Sequence, residues 1–193
     1  MSKDRRSIWL HTDYEHNGEW LEVNQGESGL YVIMLDRMIK VLDDAIAIHK
    51  RVLLYRFDLH LKSDTSDNKK ITIFIKELKA HLLKEYKMSN VGHFWVREQE
   101  KAKQQHYHGF LIFDGDKMQH PKKIEWVMQN MWKPNGHMHI LKYRYYEINK
   151  RNIDVVRPDA VYRISYLAKA RGKGYRDRQT KDYGVSKLNN AVS

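Results

Sequence analysis

The sequence predicts an α+β fold in which helices pack on a mostly antiparallel sheet. Segments with helical periodicity alternate with segments rich in β-forming residues, and no internal repeat or low-complexity tract interrupts them. Proline occurs only at Pro121, Pro134 and Pro158, each near an expected element boundary. From residue 50 the expected order is β-α-β-β-α-β-α, whose first six elements form the ferredoxin-like βαββαβ pattern, with one helix added.

The first half of the chain predicts two helices and one strand. Residues 1–28 are polar with scattered aromatic side chains and give no assignable pattern. Apolar side chains that recur with a period of about 3.6 predict a helix over 29–49. The β-forming run RVLLYRFDLHL predicts a strand over 51–61, and a second amphipathic pattern predicts a helix over about 70–87.

The second half predicts two strands joined by a polar turn, over 92–98 and 105–115, and then a short helix from Pro121 to Met131. A further strand is predicted over 137–148 and a last helix over Pro158–Ala170. In the ferredoxin-like arrangement, the strand with His106 is central and the strand with Glu98 is its neighbour. The crossover helices cover one face of the sheet, and the other face is expected to be open for a ligand. We divide the chain into an N-terminal extension with an amphipathic helix (1–49), a sheet domain (50–171) and a basic C-terminal tail (172–193).

Composition excludes several classes of protein. The 193 residues suit one domain of ordinary size, and the absence of cysteine excludes disulfides, iron–sulfur clusters and thiolate zinc sites. No apolar run approaches the length of a membrane span, and the start lacks the apolar run of a signal peptide, so we expect a cytoplasmic protein without membrane contacts.

The distribution of charge favours a polyanionic partner. Lys and Arg number 35 against 24 Asp and Glu, a net charge of +11. The first 50 residues hold six basic and nine acidic residues, so the remainder carries +14. A basic surface beside 11% aromatic residues is typical of nucleic-acid binding, although a merely soluble basic protein has the same balance.

His106 and His108 form the most informative motif. On a strand they project from one face about 6–7 Å apart, so both imidazoles can reach one ion. If the preceding turn centres on residue 102, antiparallel pairing places Glu98 opposite His106 on that face. Two imidazoles and a carboxylate would hold a divalent metal and leave positions open for substrate. The alternative is that these are ordinary surface side chains of a strand.

Two neighbouring patterns leave alternatives open. His137 and His139 form a second H-x-H pair on an expected strand, but no carboxylate precedes them at the matching distance, so we prefer the first pair. Asp58 and His60 share a face of the strand beside His106. Asp58 is therefore a supplementary ligand, an alternative to Glu98 or a structural polar residue.

Tyr162, Tyr166 and Lys169 are spaced to lie on one face of the last predicted helix. A phenol is a poor nucleophile near neutral pH, but a metal or an ammonium group nearby can activate it and stabilise charge at an attacked phosphate. The alternative is that both tyrosines only pack.

The motif order E-x7-H-x-H followed by Y-x-x-K resembles the HUH endonucleases that initiate rolling-circle replication. More narrowly, RFDLHL, REQ, HYHGFLI and YLAK are similar to the inovirus gene-two replication-protein family of filamentous phages, prophages and phage satellites. The resemblance covers about residues 50–170. The strand 51–61 departs from many rolling-circle proteins because it has charged residues where they have threonines.

The resemblance implies a site-specific nickase and strand transferase in a bacterial host cell. It implies that His106, His108 and Glu98 bind Mg²⁺ or Mn²⁺, that Tyr166 is the nucleophile, and that Lys169 supports it, with Tyr162 as a second candidate. The expected partner is single-stranded or origin DNA. No G-x-x-x-x-G-K-[ST] motif is present, so a separate helicase and polymerase are expected. We expect the DNA contacts to come from the first motif strand and the basic tail, at Arg56, Asp58, His60, Arg171, Lys173 and Arg176.

Two non-enzymatic functions remain open at this point. The sheet order also describes an RNA- or single-strand-binding module, and residues 108–113 partly match its aromatic strand signature. A DNA-binding regulator also fits the charge. Metal-dependent formation of a covalent DNA adduct distinguishes the enzyme from both.

Overall fold

The protein is a mixed α+β structure with four helices in the parts described, and the predicted α+β class is confirmed. The computed structural model describes residues 7–99, 104–174 and 179–188. Within these ranges no helix is long and apolar enough to cross a membrane. In chain order the elements are β1 (Ile8–Trp9), β2 (Asp13–His16), β3 (Glu19–Glu22), β4 (Leu30–Tyr31), α1 (Val32–Ile48), β5 (Arg51–Leu61), α2 (Lys69–Tyr86), β6 (Gly92–Glu98), β7 (His106–Asp114), α3 (Lys122–Trp132), β8 (Gly136–His139), β9 (Tyr145–Asn149), α4 (Ile153–Ser165) and β10 (Tyr183–Val185).

The main sheet is antiparallel and has the order β10-β6-β7-β5-β8, with β9 also paired to β5. The strand with His106 therefore lies between β5 and β6, as predicted. The prediction of one continuous strand over 137–148 is wrong. Tyr143 adopts a left-handed backbone with φ of 52°, which no regular strand accommodates, so the chain forms β8 and β9 on either side of it.

The first face of the sheet carries α2 and α3, as predicted. Alternate residues of β5 and β7 point into this layer, where large side chains are fully buried, among them Trp132, Phe74, Tyr107 and Phe57. Gly109 of β7 also faces this layer, because a Cβ there would lie 2.4 Å from the ring of Phe57.

The second face is not open along its length, and this corrects the expectation of a free ligand face. α1 and α4 pack over the half that carries Val52, Leu54 and Ile112, and they form one buried cluster with it. The uncovered half lies toward the other end of the strands, where the polar residues of β5, β6 and β7 are found. His106 and His108 of the predicted site are partly exposed there.

Residues that gave no sequence assignment form a hairpin. β2 and β3 pair across Asn17 and Gly18, which both have positive φ, as a tight two-residue turn requires. Tyr14 and Leu21 of this hairpin are buried in the same cluster as α1 and α4. The N-terminal extension thus shares a core with the sheet.

Two predicted boundaries near the C-terminus are wrong. α4 begins at Ile153 instead of Pro158, and the proline lies inside the helix. The helix ends at Ser165, and Tyr166–Ala168 form a 3-10 turn. Part of the expected basic tail is β10, which pairs with β6 and covers its edge.

Candidate metal centre

The hairpin of β6 and β7 sets the register of the predicted ligands. Glu98 pairs with His106, and Val96 pairs with His108. Because side chains two residues apart project from one face of a strand, both histidines and Glu98 lie together, beside Asp58 of β5. The register predicted from the sequence is confirmed.

The polar turn after β5 holds the loop end of this hairpin. Asp64 accepts hydrogen bonds from Gln99 Nε2 at 2.8 Å and from the backbone N–H of Gln105 at 2.9 Å. One carboxylate therefore joins the residue after β6 to the residue before β7. Arg97 of β6 donates to the carbonyl of Thr65 in the same turn. The turn thus keeps the two ligand strands in register.

Hydrogen bonds fix the tautomers of both imidazoles. His106 Nδ1 lies 3.0 Å from the carbonyl oxygen of Gln104, and His108 Nδ1 lies 2.6 Å from Oδ1 of Asp58. A carbonyl and a carboxylate only accept, so both rings donate through Nδ1, and the neutral form of each ring, which is the form that binds a metal, has its lone pair on Nε2. Asp58 therefore orients His108 in the manner of a carboxylate–histidine–metal arrangement and is not an alternative to Glu98.

The free ring nitrogens converge on Glu98. Oε2 of Glu98 lies 3.6 Å from Nε2 of His108 and 3.9 Å from Nε2 of His106. When both rings are neutral, two nitrogen lone pairs and a carboxylate oxygen in this arrangement suit a cation bound among them. Metal–ligand bonds of about 2.0–2.2 Å place neighbouring ligand atoms about 3–3.6 Å apart, so a small inward shift suffices. Glu98, His106 and His108 could hold a metal ion, and their ligand atoms all lie within 4.8 Å of one another.

Two lysines complete the surroundings of the carboxylate. Nζ of Lys169 lies 3.2 Å from Oε2 of Glu98, and Nζ of Lys173 lies 2.9 Å from Oε1. Lys173 also donates to the carbonyl oxygen of Lys169 at 2.6 Å, and its side chain is fully buried. Lys173 is among the residues expected to bind DNA, but in this structure its ammonium is enclosed against Glu98 instead of exposed.

These contacts keep the carboxylate charged although it is buried. Burial alone would raise the pKa of Glu98, but Lys173, His108 and Lys169 together lower it below its ordinary value. Burial alone would lower the pKa of Lys169, but Glu98 and Tyr166 raise it. The centre is therefore a charged carboxylate with two ammonium groups on one side and two imidazole rings on the other.

Lys169 joins the centre to a tyrosine. Its Nζ lies 3.3 Å from Oη of Tyr166 and 4.4 Å from the centre of that ring. The reach predicted from the spacing is confirmed, although both residues lie beyond the end of α4. Tyr162 is 41% exposed and makes no hydrogen bond, ion pair or ring contact through its side chain to any residue of the described ranges. The structure thus brings Tyr166 to the centre and leaves Tyr162 apart from it.

The residues expected to bind DNA lie in different surroundings. Arg56 is only 5% exposed, and its Nη2 lies 3.8 Å from Oδ1 of Asp58. It therefore forms an ion pair with Asp58 on the buried side of the centre. Burial lowers the pKa of Arg56, and Asp58 opposes this. Arg171 is exposed, and its backbone N–H donates to Ser28 Oγ. Arg176 lies outside the described residues.

The second H-x-H pair lies closer to the centre than the sequence indicates. His60 of β5 pairs with His106 on one side and with His137 of β8 on the other. The ring of His60 is stacked on both, with centroid distances of 5.3 Å to His106 and 4.7 Å to His137. We call these three residues the histidine row. His139 pairs with Asp58 in the adjacent row.

Comparison with known proteins places the chain in a family. The profile of the YagK/YfjJ C-terminal domain matches residues 10–186. The chain belongs to this family. It is also 30% identical to the uncharacterized protein YfjJ of Escherichia coli K12, across 44% of this chain and 52% of that protein. The chain thus spans about half the length of this relative. No solved structure gives a significant match.

Proposed function

We propose that this YagK/YfjJ domain is a metal-dependent endonuclease that nicks and rejoins single-stranded DNA through a phosphotyrosine intermediate. The observation that supports the proposal best is the convergence of the Nε2 atoms of both histidines on Glu98, with Lys169 linking Glu98 to Tyr166. A carboxylate, two imidazoles and a phenol supported by an ammonium suit phosphoryl transfer. The strand order of the main sheet also supports the ferredoxin-like assignment and the resemblance to HUH endonucleases.

In the proposed reaction the chain's own residues supply the nucleophile and its support. Oη of Tyr166 forms a bond to the phosphorus, and the bond from phosphorus to the 3′-oxygen breaks. The electron pair goes to the 3′-oxygen, which gains a proton while the phenol loses one. Lys169 stabilises the phenolate, and Asp58 holds His108 in its tautomer. Because one phosphoester replaces another, the reverse step can rejoin the strand.

His106, His108 and Glu98 would hold Mg²⁺ or Mn²⁺. The bound ion would polarise a non-bridging phosphate oxygen and fix its geometry. A nick of this kind leaves a 3′-hydroxyl that a polymerase can extend, so we propose initiation of rolling-circle replication of a phage or mobile element in a bacterial cytoplasm, with unwinding and synthesis supplied by a separate helicase and polymerase.

Buried aromatic rings argue against the alternative of an RNA-binding module. That function needs aromatic side chains on an uncovered sheet face, where they stack on bases. Phe110 and Phe113, the aromatic residues of the 108–113 signature, are both fully buried under helices. The proposal of an enzyme therefore remains the better supported one.

Formation of a covalent adduct tests the proposal. The protein is incubated with a pool of labelled single-stranded DNA and Mn²⁺, and the mixture is separated under denaturing conditions. We expect a slowly migrating band with the wild type and with Tyr162→Phe, and none with Tyr166→Phe, which removes only a hydroxyl. Full adduct formation by Tyr166→Phe would contradict the choice of nucleophile. The absence of any adduct with the wild type on candidate origin strands would contradict the enzyme.

A further inference from the structure

The histidine row runs from the metal centre to the edge of the sheet. His106, His60 and His137 belong to three adjacent strands and stand opposite one another in the register. The planes of His60 and His137 differ by only 4°, and those of His60 and His106 by 18°. The row is thus a series of nearly parallel flat rings that starts at a proposed metal ligand and ends at an exposed edge.

The outer rings of the row have free polar atoms. Neither ring of His60 and His137 makes a hydrogen bond or an ion pair to another part of the described chain, and His137 is exposed. α1 and α4 pack on the other half of this sheet face. Free imidazole nitrogens and a flat ring at an open edge suit a planar ligand with polar edges, such as a nucleobase.

The segment after β8 adds a positive charge at the same edge of the sheet. Nζ of Lys142 lies 5.1 Å from the ring centre of Tyr143, which is 72% exposed. An exposed cation beside an exposed aromatic ring is a typical combination for a single strand, whose phosphates and bases alternate. The edge therefore offers stacking surfaces and a partner for a phosphate.

We propose that the histidine row is a base-binding subsite for single-stranded DNA. The direction in which the DNA strand runs through this subsite rests on the proposed function. Tyr166 reaches the centre through Lys169 and Glu98 on the β6 side, whereas the row leaves it on the β5 and β8 side. In an in-line displacement the attacking and leaving oxygens lie on opposite sides of the phosphorus. The row therefore receives the strand that ends in the released 3′-hydroxyl.

Binding in the presence of EDTA tests the subsite without metal or cleavage. Fluorescence anisotropy compares a ten-nucleotide oligothymidylate with an abasic strand of the same length and charge. The wild type should bind the thymidylate about tenfold more tightly than the abasic strand, because each stacked base contributes to affinity. His60→Ala combined with His137→Ala should bind both strands equally. His137→Ala alone, a change at an exposed position, should reduce the ratio, and His137→Phe should restore it.

A matched control removes two histidines on the other side of the sheet. His81 and His120 line a groove beside α2 and α3, so their replacement by alanine should leave the binding ratio unchanged. An unchanged ratio in the His60/His137 double variant, or no preference for the thymidylate in the wild type, would overturn the subsite.

Adduct formation is a separate readout, so a protein that forms no adduct but keeps this pattern would contradict only the nickase. If the nickase is correct, the double variant should release the 3′-hydroxyl strand faster than the wild type after one turnover.

Discussion

At the scale of residues, the centre is defined by what surrounds one buried carboxylate. Glu98 is 3% exposed, and its four nearest charged or polar neighbours come from β7 and from the residues that follow α4. A carboxylate in such a position is stable only because cations and hydrogen-bond donors surround it. Its partners therefore determine both the stability of the metal-free protein and its affinity for a metal.

Removal of the histidine ligands should abolish metal binding without unfolding the protein. His106 and His108 lie on the uncovered part of the sheet, so His106→Ala combined with His108→Ala removes ligands and little core volume. Calorimetric titration should detect no Mn²⁺ binding by this variant, whereas His137→Ala combined with His139→Ala should bind Mn²⁺ like the wild type. The opposite result would show that the second pair holds the metal.

Lys173 should oppose metal binding while it stabilises the metal-free protein. Its ammonium neutralises Oε1 of Glu98 and lies beside the proposed ion, which it repels. Lys173→Met should therefore bind Mn²⁺ about tenfold more tightly and should lower the free energy of unfolding without metal by about 3 kcal/mol. Titration calorimetry and thermal unfolding measure the two effects, with Lys181→Met of the same segment as the control. Weaker Mn²⁺ binding by Lys173→Met would mean that its main role is to hold Glu98 in place.

His93 should make the protein sensitive to mild acid. Burial and, to a lesser extent, Lys79 lower the pKa of His93 to about 3, and none of the residues described reaches its Nδ1 with a hydrogen bond. The unfolded chain takes up a proton on this ring near pH 6.5, whereas the folded chain does not until about pH 3, so stability is complete above pH 6.5 and falls as the pH drops below it. Between pH 7 and pH 4.5 the wild type should lose about 2–3 kcal/mol more than His93→Gln. Urea unfolding of both proteins at the two pH values measures this difference, and equal losses would contradict it.

At the scale of elements, local patterns predicted the central hairpin and its register. Apolar alternation and the polar turn define β6 and β7, and the pairing of Glu98 with His106 follows from the midpoint of the turn. The stacking of His137 beside His60 could also have been predicted, because the fourth strand of the ferredoxin-like order lies next to the first. By spacing alone, the His137 pair is only a competitor of the first pair as a metal site.

Other elements depend on contacts that no local pattern reveals. Lys173 is 75 residues from Glu98, and its burial there follows from the course of the chain after α4. β10 is three residues long and exists because it pairs with β6. The hairpin around Asn17 and Gly18 is different, since that dipeptide is a recognised turn signal and could have been assigned.

Truncation after Ala170 should destabilise the fold as well as reduce charge. It removes Lys173 and β10. It also removes the carbonyl of Asp182, which accepts a hydrogen bond from the backbone N–H of Arg97 at 2.7 Å. An uncovered edge of β6 promotes pairing with other chains. The truncated protein should therefore unfold at a lower temperature and self-associate in size-exclusion chromatography, whereas Lys181→Gln combined with Lys187→Gln should do neither. A monomeric truncation product with unchanged thermal unfolding would show that β10 contributes nothing.

At the scale of the whole molecule, the acidic N-terminal part and the basic remainder are joined by ion pairs. Arg157 of α4 binds Asp43 of α1 at 2.8 Å and Glu19 of β3 at 2.9 Å. The excess negative charge of residues 1–50 is thus partly neutralised where α1 and the N-terminal hairpin meet α4. The excess positive charge belongs to the remainder of the chain, which includes the sheet edge with Lys142.

This distribution predicts where salt weakens DNA binding. The affinity for a single strand should fall as salt rises, and each lost lysine–phosphate contact should reduce the slope of log K against log salt by about 0.7. Lys142→Gln should show this reduction, because Lys142 is exposed at the edge where the histidine row ends. Lys76→Gln removes another exposed charge, from α2 on the other side of the sheet, and should leave the slope unchanged. Anisotropy titrations of oligothymidylate at several salt concentrations measure both slopes, and a reduction confined to Lys76→Gln would place the strand on the α2 side, away from the metal centre.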